Sequence, residues 1–194
     1  MFTIVQYGGG GDWYNGITGV KNLLHQMEKR CSVKIYPREK IVKLTDDDLF
    51  LYPFLFINGH GNIRLTDEEV VRLRQFLYNG GFLFCNDDYG LDTHLRREIK
   101  KVFPDKEFVT VPFDHPIYSC FYKFTNGLPK IHEHYPGPPK GLGIFINNRL
   151  VLFYAYNADI ADGWEKQQVH HDSLQKRELA IQMGINIIYF ALTQ

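Results

Sequence analysis

Two adjacent carboxylates, Asp87 and Asp88, close the stretch GGFLFCNDDYG that runs from Gly80 to Gly90. A pair of this kind can divide the work of acid and base, or can hold a divalent cation together with an imidazole. Other groups with the same capacity fall at comparable places. Asp12 follows a first apolar run, Asn58 and His60 a third, Asp114 and His115 a fifth, and Asn157 and Asp159 a late hairpin. Each also has a plain structural use. Asp and Asn cap helices and turns, and a lone histidine such as His60 or His115 fills a hydrogen-bond slot.

What would bring these residues together is a parallel sheet. Phe2 to Tyr7 alternates and is rich in β-formers, and Phe54 to Ile57 and Phe82 to Cys85 are unbroken apolar runs suited to strands covered on both faces. Val33 with Ile35 mark a second strand and Phe108 to Val111 a fifth. Leu142 to Ile146 and Leu150 to Tyr154 flank Asn147-Asn148, which suits a type I′ hairpin turn. Helices alternate with the strands. Ile17 to Arg30 carries apolar residues at helical spacing, and Thr66 with Glu69 form a capping box before Val70, Leu73 and Leu77. Asp92 caps a helix through Val102, and Ser173 opens a long C-terminal helix that contains Gly184, expected to pack closely on the sheet.

The expected fold is α/β: a three-layer sandwich with a mostly parallel central sheet, a late antiparallel hairpin and a long C-terminal helix, as one domain over residues 1–194. In such a sheet the strand ends that precede helices share one rim, where ligands bind. The rim set is Asp12, Trp13, Asn58, His60, Asn86, Asp87, Asp88, Tyr89 and Asp159. Trp13, Tyr14, Tyr89, Tyr118 and Trp164 either line a cleft there or fill gaps beneath loops.

Several classes are excluded or unsupported. Lys+Arg and Asp+Glu both number 22, so bulk charge offers nothing to nucleic acid or an anionic membrane. No apolar run reaches the roughly 18–20 residues of a transmembrane helix. The run Gly8 to Gly11 fits neither phosphate-loop spacing, because Trp13 stands where G-x-G-x-x-G needs glycine. It reads instead as a tight loop that lets backbone approach a neighbour. Cys31, Cys85 and Cys120 are too scattered for a disulfide framework or a zinc knuckle. His132-Glu133-His134 and His170-His171 lack the helical H-E-x-x-H form, so no metal or cofactor is assigned.

The ordered set YGGGGDWYN, LYPFLFINGHG, GGFLFCNDDYG, VFPDKEF, DHPIY, DGWE and GINIIYFALT resembles a bacterial family of domains of unknown function, itself similar to class I glutamine amidotransferases. The resemblance covers nearly the whole chain. It implies a flavodoxin-like sandwich and a periplasmic or cell-envelope setting with the leader absent from this chain, a cytoplasmic one being the alternative. No established activity comes with it. Amidotransferases carry a cysteine in a glycine-flanked elbow and a later histidine. Here Cys85 lies within a strand between Phe84 and Asn86, and Tyr156 to Asp159 holds no histidine. The expectation is a non-glutaminase domain binding a small molecule, sugar or protein partner around Asp87 and Asp88. The alternatives are a hydrolase, with or without metal, pairing either carboxylate with His60 or His115, and a structural interaction module.

Overall fold

The computed structural model describes residues 1–31, 35–36 and 38–194. Its seven strands are β1 (Phe2–Val5), β2 (Glu39–Val42), β3 (Phe54–Ile57), β4 (Phe82–Asn86), β5 (Val109–Thr110), β6 (Lys140–Ile146) and β7 (Arg149–Tyr156). They form one sheet in the order β2-β1-β3-β4-β7-β6-β5. The pairings from β2 through β1, β3 and β4 to β7 are parallel, and those of β7 with β6 and β6 with β5 are antiparallel. The helices are α1 (Ile17–Arg30), α2 (Asp67–Tyr78), α3 (Asp92–Val102), the four-residue α4 (Gln167–His170) and α5 (Leu174–Thr193).

Alternation along the strands sorts their side chains into two cores. Phe82 and Phe84 of β4 join Phe54, Phe56 and Phe153 beneath α1 and α5, with Trp164 at the centre. Leu83 and Cys85 face the other way, with Leu55, Ile57, Leu152 and Tyr154 beneath α2 and α3. The result is helices, sheet, helices. Both faces of β4 are covered, which explains why its sequence is continuously apolar rather than alternating.

The local signals at the ends of elements act as their chemistry requires. The Thr66 hydroxyl accepts from Glu69 N at 3.3 Å while the Glu69 carboxylate accepts from Thr66 N at 2.8 Å, so the box starting α2 is complete. Asn147 and Asn148 have φ of 49° and 66°, the two left-handed positions of a type I′ turn. Gly9 and Gly11 lie so near the backbone of His60 to Arg64 that a Cβ at either would come within 3.0 Å of it.

Four expectations are corrected. The second strand is Glu39–Val42; Ile35 is not in a strand, and Val33 lies outside the described residues. Asp92 is inside the first turn of α3, and its carboxylate binds Arg96 and Tyr154 rather than capping backbone. Gly184 packs α5 closely onto Leu23 of α1 and onto Trp164, not onto the sheet. Trp164 and Tyr118 are core residues, leaving Tyr14 and Tyr89 as the exposed rings of the aromatic set.

Candidate functional site

The residues at and just after the end of β4 diverge, since successive side chains of an extended chain point to opposite faces. Asn86 turns toward the α1/α5 side. Its Nδ2 donates to Asn58 Oδ1 at 2.8 Å and Asp159 Oδ1 at 2.9 Å, and its Oδ1 accepts from Ala161 N. Asp87 turns the other way, where it accepts from the Tyr154 hydroxyl at 3.0 Å and from Asn157 N at 2.6 Å. Asp88, past the end of the strand, faces the rim. There it accepts from Asn15 Nδ2 at 2.6 Å and lies 2.8 Å from His60 Nε2. His60 Nδ1 is 3.0 Å from Asp12 Oδ2, and His60 N donates to the same carboxylate, so the imidazole is held between Asp12 and Asp88.

The loops that present these groups come from β1 and β3, neighbours whose connections run in opposite directions along the sheet, to β2 and to β4. The turn from Gly8 is tied to the segment after β3 by Gly11 N to Asn62 O at 2.9 Å and Arg64 N to Gly8 O at 2.8 Å. The Tyr7 hydroxyl holds Asn58 O at 2.8 Å. Asp12 and His60 are therefore placed by backbone, and their side chains remain accessible.

A second approach comes from the long connection between β5 and β6, where sequence reasoning saw no site. Asn157, just after β7, brackets Tyr135 with its side chain: Oδ1 accepts from Tyr135 N at 3.0 Å and Nδ2 donates to Tyr135 O at 2.9 Å. Ile131 N donates to Ala158 O at 2.8 Å. These bonds lay His132 and His134 beside the turn after β7. Asn157 and Asp159 hold φ of 54° and 46° there, a left-handed conformation that Asn and Asp tolerate best among non-glycine residues. His134 Nε2 lies 3.1 Å from Asp159 Oδ2, and His132 binds Asp162 at 2.9 Å and Asp172 at 3.1 Å. His170 stands 3.4 Å from Asp162.

The electrostatics follow from burial under competing charges. Burial pushes the Asp87 carboxyl up to about 6, against the two bonds it accepts. Asp88 is also raised to about 6, by burial first and by the neighbouring Asp159 next, with His60 opposing. Burial works in the same direction on Asp159, but His132 and His134 outweigh it and hold this carboxyl below its usual range. His132 is raised to about 10 by the Asp159 and Asp162 carboxylates. Asp162 acts as a hydrogen-bond partner and Asp159, at 3.7 Å, only as a charge.

Of the expected rim set, Asp12, Asn58, His60, Asn86, Asp88 and Asp159 form one linked group. Tyr89 is at its edge, 63% exposed, stacked on Tyr135 and edge-on to His134. Trp13 is half-buried against both cores and meets Tyr14 edge-on. Asp87 is turned into the fold. His115 belongs elsewhere: its ring packs on Phe145 and Phe190, and its Nδ1 accepts from Ile117 N. It follows β5, three strands from β4 and so displaced by about 14 Å across the sheet. His132, His134 and His170 were weighed as metal signals and left unassigned, and Asp162 and Asp172 were missed. The available signal was an acidic, histidine-rich pair of loops flanking the hairpin.

Fold and rim together define an α/β protein with a histidine–carboxylate centre at the ends of its parallel strands. The chain matches the family described as Domain of unknown function (DUF4159) over residues 1–192 and belongs to it. Compared with curated proteins, it finds no match. Among the described residues, no helix is long and apolar enough to cross a membrane.

Proposed function

We propose that this chain is a single ligand-binding domain of the flavodoxin-like, amidotransferase-like class, without glutaminase chemistry, and that it takes a polyhydroxylated, sugar-like ligand at the rim around Asp88 in an envelope setting. The parallel part of the sheet runs 2-1-3-4-7, which supports the flavodoxin-like order, and the rim lies where connections from β1 and β3 part. Loss of glutaminase chemistry is supported by Cys85, whose side chain is fully buried in the α2/α3 core and whose thiol burial pushes up, far from the thiolate a nucleophile needs.

The observation that carries the reading is His60, half-exposed and fixed between Asp12 and Asp88. Its neighbours offer carboxylate acceptors for hydroxyl groups, and the exposed rings of Tyr14 and Tyr89 offer faces on which a sugar can stack. A second reading, a hydrolase, is favoured by the 2.8 Å contact of His60 Nε2 with Asp88, which is within proton-transfer distance. That version keeps the Asp88–His60 pair and drops both His115 and Asp87.

A thermal-shift screen with neutral, amino and acidic sugars tests the binding reading on wild type, Asp88→Asn and Tyr89→Ala. Occupancy at about 100 times Kd stabilises by about 2.7 kcal/mol, a rise of several degrees for a domain of this size. The expected result is stabilisation of wild type that both variants lose. Variants that respond like wild type would remove the rim from the account. Turnover of a chromogenic glycoside or ester that needs both His60 and Asp88 would instead select the hydrolase.

A further inference from the structure

We propose that the rim holds a first-row divalent cation, zinc or manganese(II), ligated by Asp88, Asp159 and His134. The inference rests on the preceding reading for its location alone, and it stands on the donor atoms.

One imidazole nitrogen and two carboxylate oxygens, each from a different one of these residues, lie within 4.8 Å of one another. Donors about 2.1 Å from a shared tetrahedral ion sit about 3.4 Å apart, and His134 Nε2 and Asp159 Oδ2, at 3.1 Å, already stand near that spacing. The stronger observation is an orphaned atom. Asp159 is fully buried and its Oδ1 is bound by Asn86, yet Oδ2 has no hydrogen-bond partner. The 3.1 Å contact of Oδ2 with His134 Nε2 lacks hydrogen-bond alignment, and His134 Nδ1 is unpartnered too. A buried carboxylate oxygen left without a donor is costly, and a cation in front of it removes that cost. Asp88 keeps the arrangement of a ligand with outer support: Asn15, Tyr89 N and His60 orient its carboxylate, and Asp12 orients His60.

A neighbouring group, His132, Asp162 and His170, has similar spacing. It differs in that both nitrogens of His132 already face carboxylates, Asp162 and Asp172. There one imidazole is committed to two acids through both of its nitrogens. In the Asp88 group His134 Nδ1 and the Asp159 Oδ2 beside its ring are both left without hydrogen-bond partners. An imidazole in the set argues for zinc or manganese over calcium, which prefers oxygen ligands throughout.

Microcalorimetry on chelator-stripped protein, titrated with zinc, manganese(II) and calcium and with no sugar present, tests the proposal. Zinc or manganese(II) binding is expected near one ion per chain. Asp159→Asn retains an acceptor for Asn86, and His134→Gln alters a residue at the rim, so both variants are expected to fold. Each should weaken binding by about 100-fold or more, since even outer partners of a metal are worth 10–100-fold. His170→Asn should bind as wild type does. Absence of binding to wild type overturns the proposal, as does binding that His170→Asn abolishes and His134→Gln leaves intact, or a calcium preference indifferent to His134. A lost metal with an intact sugar response removes the ion and spares the ligand reading. A bound metal with no sugar response does the reverse.

Discussion

The two histidine–carboxylate groups beside the turn after β7 are built from the same residue types, and they differ in what their donor atoms have left to do. In one, His132 spends both ring nitrogens on Asp162 and Asp172. In the other, Asp159 Oδ2 and His134 Nδ1 are buried with no hydrogen-bond partner. The first group can tie the 131–135 segment and the start of α5 to the turn after β7 without help. The second has capacity to spare, and it borders the part of the rim where His60 reaches solvent. What separates a brace from the proposed site is thus the imidazole: His132 uses both ring nitrogens and His134 leaves Nδ1 without a partner, while each group keeps one buried carboxylate oxygen unpartnered, Asp172 Oδ2 in the first and Asp159 Oδ2 in the second.

The largest test of that division is mutational. Replacing His132 with Ala strands two buried acids, Asp162 and Asp172, and should lower stability by about 2–3 kcal/mol in urea denaturation of metal-free protein. His134→Gln should cost less than about 1 kcal/mol under the same conditions, because it breaks no aligned hydrogen bond. Equal losses would mean that both groups are braces.

A smaller effect separates the adjacent acids that follow β4. Asp87→Ala leaves Asn157 N without its acceptor and should cost about 2 kcal/mol. Asp88→Asn keeps an oxygen for Asn15 and relieves repulsion from Asp159, so its stability should stay within about 0.5–1 kcal/mol of wild type. Chemical denaturation of the two variants checks this, and a costlier Asp88 change would make that residue part of the brace.

A further test is in pH. His132 binds its proton more tightly folded (about 10) than at its ordinary 6.5, so its contribution is fully present below about 6.5 and lost as pH rises through about 10. Metal-free wild type should therefore lose stability across that window more steeply than His132→Gln. Parallel profiles would show that the imidazolium does not hold the brace.

Some of this was readable in the chain because it depends on near neighbours. The capping box at Thr66 and Glu69 needs a spacing of three, and the Asn147-Asn148 turn needs two residues that accept positive φ. The apolar run from Phe82 to Cys85 announced a strand covered on both faces. The rim set was largely readable as well, because Asp12, His60, Asp88 and Asp159 each follow a strand. His115 was misplaced for the same reason. It too follows a strand, but one that lies beyond the hairpin, at the far edge of the sheet.

The chain by itself determined every strand but the second and most of the helices, with the acids left at the strand ends, because periodicity and capping act over a few residues. It did not determine which of Asp87 and Asp88 would face the rim, since that depends on where β4 stops pairing with β7. Nor did it determine that His134 would meet Asp159. An H-x-H pair in a proline-rich connection carries no period, and its position depends on Asn157 clasping Tyr135 across the turn after β7. Only the tertiary structure decided that contact, because it joins segments whose paths are set by packing rather than by local preference.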